Sequence, residues 1–64
     1  LKRYSVIAEV EKGLYQRFLK SENFDDLDKA LKWARSMYHA AYRVTDNQTR
    51  QVIKSKGVFK IISI

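Results

Sequence analysis

The sequence predicts an α+β fold of order β-β-α-β-β-β, a mainly antiparallel sheet with a single amphipathic helix packed on one face. Three observations predict it. Residues 3–11 alternate apolar and polar, the period of a half-buried strand. The stretch from Phe24 to His39 changes to a helical period behind an acidic start. From Tyr42 onward, short β-branched runs return, divided by Asp46-Asn47-Gln48-Thr49 and Lys56-Gly57.

In the first strand Tyr4, Val6, Ala8 and Val10 share one face. Arg3, Ser5, Ile7, Glu9 and Glu11 share the other. Lys12-Gly13 is the turn, because Gly13 accepts a positive φ. Residues 14–20 return as the second strand, in one of two registers. With Val10 opposite Tyr15, Arg17 falls on the core face beside Ala8. With Val10 opposite Leu14, Phe18 is inside and Arg17 pairs with Ile7 outside. The second register keeps a charge out of the core and is preferred. Ser21-Glu22-Asn23 reads as a loop.

The helix starts at Phe24-Asp25. Asp25 is placed to cap, and Phe24 before it can fold back on the first turns. Asp26 and Asp28 then sit where the helix dipole favours anions. At about 100° per residue, Leu27, Ala30, Leu31, Ala34, Tyr38 and Ala41 form one stripe, with Lys29, Lys32, Arg35, Ser36 and His39 opposite. The alanines allow close approach to a sheet, and the helix is expected to end near His39. Tyr42–Thr45, Arg50–Ser55 and Val58–Ile64 read as three further strands. The expected core is Val6, Val10, Leu27, Leu31, Ala34 and Val44. The sheet face opposite the helix is left open.

Sixty-four residues make one domain, 1–64. A start at Leu1 in place of methionine is what a piece of a longer chain would show. A core of this size contributes only about 3–5 kcal/mol. There is no cysteine, so neither a disulfide nor a cysteine-based zinc site assists it. No apolar run approaches the roughly 18 residues of a membrane span, and no signal peptide is evident. A cytoplasmic location is the expectation.

Little in the chain points to catalysis. His39, the one histidine, sits at the polar side of the helix end, where an imidazole has a structural use. Asp25, Asp26 and Asp28 are explained by the helix N-terminus and have no histidine beside them to complete a metal site. Glu9 and Glu11 share a strand face, which is a weak signal for acid–base work. Gly13 and Gly57 are the only glycines, so there is no phosphate-binding loop. A non-enzymatic protein without cofactor or metal is expected.

Charge is the informative feature. Residues 1–28 carry five basic and six acidic side chains, whereas residues 29–64 carry eight basic and one acidic, Asp46. The whole is +6. Such a balance favours an acidic partner, with nucleic acid the first class and an acidic protein surface the second. A hairpin pairing Thr45 with Arg50 would gather Arg43, Arg50 and Lys54 on the open sheet face. Arg17 would join them, with Tyr15 as an aromatic platform for bases. The competing reading is a protein-interaction or regulatory module. It would use Trp33 and Met37 beside the helix stripe, Ile7 on the outer sheet face, or an exposed strand edge, and a homodimer is one form of it.

Overall fold

The alternation of the first residues becomes the second strand of a four-stranded sheet. A computed structural model describes residues 2–13 and 16–59. Within them the elements are β1 (Tyr4–Lys12), β2 (Gln16–Phe24), α1 (Leu27–Met37), β3 (Ala41–Asp46) and β4 (Gln51–Lys56). The sheet order is β2-β1-β3-β4, with every neighbour antiparallel. The α+β class and the single helix on one face are therefore as the sequence predicts. Val58 and Phe59 are not in a strand. The rest of the expected fifth strand lies outside the described residues, as does Tyr15, expected in the second strand.

β1 presents Tyr4, Val6, Ala8 and Val10 to the helix, as its period requires. β2 is longer than expected. Ser21-Glu22-Asn23 is strand and not loop, because its backbone continues the ladder to Phe24 opposite Tyr4. The register also differs. Val10 faces Phe18 rather than Leu14, and Arg17 faces Glu11 rather than Ile7. The shift is an even number of residues, so the face assignment survives: Phe18 is on the helix side and Arg17 on the far side.

The helix cap is Asp26, not Asp25. Asp26 has an extended backbone, and its Oδ1 accepts from the Asp28 amide at 2.8 Å. Asp25, one residue earlier, cannot reach that amide and stays exposed. The helix ends at Met37, two residues before the expected His39, when Tyr38 turns to an extended backbone. The connection to β3 is then fastened to β1. The amides of His39 and Ala40 donate to the Glu9 carbonyl at 3.0 and 3.3 Å, and the Glu11 amide donates to His39 Nδ1 at 2.8 Å. His39 thus supplies the hydrogen bond that β3 cannot, since the β1–β3 ladder stops at Glu9 and Ala41.

Alanines make the core. Ala8, Ala30 and Ala34 are fully buried with Val6, Tyr42 and Val44. Tyr42 lies across from Ala8, so a large side chain fills the room a small one leaves. Of the expected core residues, Val6, Ala34 and Val44 are buried, whereas Val10, Leu27 and Leu31 are half-buried around them. The alanine faces bring α1 so close that the flanking leucines reach over the rim and not into the centre.

Candidate basic binding surface

Two of the predicted basic residues do lie on the far sheet face. Arg43 sits opposite Ile7 on β1 and Ser55 on β4, and Arg17 sits opposite Glu11. They do not form one patch. Arg17 Nη2 is 3.4 Å from Glu11 Oε1, and Glu9 is buried on the same face between the two arginines. Nor is the face open along its length. The chain turns at Gly57, whose φ is +75°, and Phe59 places its ring 5.3 Å from the Arg43 guanidinium.

The other two leave that face altogether. β4 contains one extra residue where Thr45 pairs with Val52 but Val44 pairs with Lys54. Ile53 is that residue, and a β-bulge of this kind reverses the faces beyond it. Lys54 consequently projects to the helix side, opposite Val44. Arg50 is not in the strand but in the turn, with a left-handed φ of 60° and its amide bonded to the Asp46 carbonyl at 2.7 Å.

The same bulge builds a different cationic surface. With Lys54 on the helix side, Lys56 follows it there opposite Tyr42, about 6.7 Å further along the strand. α1 lies over β1, β3 and β2 but does not reach β4. β4 is therefore a ledge beside the helix. Trp33 turns the other way, toward β2, where its ring centre is 5.9 Å from that of Phe24. At about 100° per residue, Leu31, Arg35 and Tyr38 occupy the opposite flank of α1, above the ledge. Lys56 Nζ is 5.6 Å from the Tyr38 ring centre, and Tyr38 packs edge-on against Tyr42 at 4.9 Å. A shallow hollow of about 330 Å³ continues along the helix, lined by Asp28, Lys29, Leu31, Lys32 and Arg35.

Hydrogen bonding to the Tyr38 phenol holds the Lys56 ammonium above the ordinary lysine range, against its desolvation and the nearby charge of Arg35. Lys56 is thus fully cationic at neutral pH. Arg35 also sits in the last helical turn, where the dipole favours a cation. Lys56 and Arg35 were not among the residues singled out from sequence. Lys56 reads as a turn residue before Gly57, and Arg35 as part of a solvated helix face. The available signal was the i, i+2 spacing of Lys54 and Lys56 on one strand.

The apolar candidates are half-buried. Trp33 and Met37 are half-buried, with Trp33 covered by Phe24 at the β2 edge. Ile7 is half-buried between Ser21 and Arg43. Among the described residues the exposed large apolar side chains are Phe18, Val52, Ile53 and Val58.

The turn that presents the ledge is held by an ion pair. Arg3 Nη2 and Nε bond the Asp46 carboxylate at 3.0–3.3 Å, and the Gln48 amide donates to Asp46 Oδ1 at 2.9 Å. The Arg3 guanidinium lowers the Asp46 carboxyl below its ordinary value, and desolvation only partly opposes this. The contribution to stability is therefore complete above the ordinary aspartate pKa of about 3.9 and is lost as pH falls through the depressed value. Asp46→Asn is expected to be less stable than the parent at pH 7. The gap should close at strongly acid pH, as read from urea unfolding at both. An equal gap at both would mean that the carboxylate charge is not the stabilising element.

No helix among the described residues is long and apolar enough to cross a membrane. No group of three or more potential metal ligands occurs among them. Comparison with family models, curated proteins and solved structures finds no match to the chain.

Proposed function

We propose that this protein is a small non-enzymatic binding module that presents a basic surface to nucleic acid, through the ledge between α1 and β4. One observation carries the reading. Lys54, Lys56 and Arg35 gather on one flank and form no ion pair among the described residues, with Asp28 the carboxylate that shares the helix side of this flank. Unpaired cations beside an aromatic ring suit phosphates, whose condensed counterions are released on contact. The net charge of +6 adds long-range attraction.

Titration of a labelled oligonucleotide by fluorescence anisotropy tests it. With three phosphate contacts, log K should fall against log salt with a slope of about −2 to −3. The double change Lys54→Glu and Lys56→Glu should abolish binding with the fold intact, since both side chains are exposed. Arg43→Glu with Arg50→Glu should leave most of the affinity. Absence of binding at low salt, or indifference to the Lys54/Lys56 reversal, would reject the proposal.

A second reading is favoured by one feature, the apolar side chains of the edge strand. Val52 and Ile53 are 52% and 42% exposed on β4, which has a neighbour on one side only among the described residues. A protein partner, a second copy of the chain included, could add a strand there. Association that survives nuclease and high salt would select this reading over the first.

A further inference from the structure

Resting on the reading of the basic ledge as a nucleic-acid surface, we infer that its ligand is single-stranded, with phosphates on Lys54, Lys56 and Arg35 and bases against Tyr38 and Leu31. The argument is one of width and of mixed chemistry.

The ledge is a single strand wide. Neighbouring strands are about 4.8 Å apart, and among the described residues only β4 extends past the helix on this side. The wall beside it is α1, about 10 Å across with its side chains. A step of these dimensions admits one extended polynucleotide chain. A duplex carries two such chains side by side with its bases paired between them, and can only rest one backbone on the rim.

The surface is also not merely cationic. Tyr38 and Leu31 are half-buried on the flank of the helix that adjoins the ledge, with the Lys56 ammonium 5.6 Å from the Tyr38 ring centre. The cations stand on both sides of them: Lys54 and Lys56 on the strand, Arg35 on the helix. A single strand satisfies both kinds of group, because its bases are free to turn toward the wall while its phosphates face the lysines. In a duplex the bases are paired inward, and the apolar wall would face the charged backbone with nothing to cover it. The spacing of Lys54 and Lys56, about 6.7 Å, sets their ammonium groups along the direction in which such a strand would run.

Three anionic probes at one low salt concentration decide the matter: a labelled thymidine strand of about twelve nucleotides, the matching duplex, and polyglutamate. The thymidine strand should bind at least tenfold more tightly than either of the others. Tyr38→Leu should weaken the thymidine strand by about fivefold to a hundredfold and leave the duplex unchanged. Should that variant fail to fold, the Tyr38 ring and Leu31 methyl resonances of the parent chain provide the second readout. They should move on adding the thymidine strand and stay in place on adding inorganic phosphate. Duplex binding as tight as the single strand, or polyglutamate binding as tight, overturns the inference and leaves the basic ledge standing. Failure of both oligonucleotides to bind overturns the nucleic-acid reading itself.

Discussion

Tyr42→Ala is expected to leave the chain largely unfolded at room temperature. Tyr42 is 2% exposed and is the largest fully buried side chain. It sits on a central strand, across from Ala8 and against the edge of Tyr38. The residues around it are mostly alanine and valine, too small to close the space by moving. Removing a buried aromatic costs about 3–5 kcal/mol. A domain of this size has only about 3–5 kcal/mol to lose. Tyr42→Phe keeps the ring and should stay within about 1 kcal/mol of the parent. Circular dichroism melts of the two variants check this. A cooperative melt for Tyr42→Ala near the parent temperature would show that the core lies elsewhere.

Gly57→Ala is the second large effect. The backbone at Gly57 has a φ of +75°, which costs an L-residue about 1–2 kcal/mol. An added methyl would also stand 2.1 Å from the Ala40 carbonyl oxygen and 3.1 Å from the Ala41 Cα, both backbone atoms that cannot step aside. Overpacking of this kind adds about 1–3 kcal/mol. Gly13 provides the control. Its φ is +73°, yet nothing among the described residues lies within 4 Å of its would-be Cβ. Gly13→Ala should therefore show the backbone cost alone, and the difference between the two variants in denaturant unfolding isolates the close approach. Equal losses would mean that the start of β3 yields to the methyl without penalty.

Much of the architecture was legible because periodicity reports burial. Val6 and Ala8 on one strand, and Ala30 and Ala34 on the helix, follow from spacing alone. β2 was legible only in part. An edge strand exposed on both sides carries no alternation, and Ser21-Glu22-Asn23 has the composition of a loop. What keeps it in the sheet is tertiary: Ser5 Oγ donates to Asn23 Oδ1 at 2.8 Å and accepts from Asn47 Nδ2 at 2.7 Å. The choice of Asp26 over Asp25 as cap was equally hidden, since the two residues are chemically identical and one residue apart. The candidate site departs from the sequence reading at two points, Arg50 sitting in the turn and a bulge shifting β4. Strand alternation carried Arg43 to the correct face, but neither glycine nor proline marks the bulge at Ile53. One unmarked residue moved Lys54 and Lys56 to the helix side of the sheet, beside Arg35 of α1.

The strand order has a kinetic meaning. β1–β2 and β3–β4 are hairpins, each closed by a short connection, and both can form early from local encounters. The β1–β3 ladder is different: it joins Tyr4 to Asp46 and cannot zip until the helix between the hairpins has been laid down. The long-range bonds at its far end, such as Arg3 to Asp46, span 43 residues and belong to the last stage. Each hairpin alone is marginal, so the closing of β1 on β3 is the event that commits the chain. Pulsed amide exchange during refolding would show it, with β1 amides bonded to β2 protected before those bonded to β3.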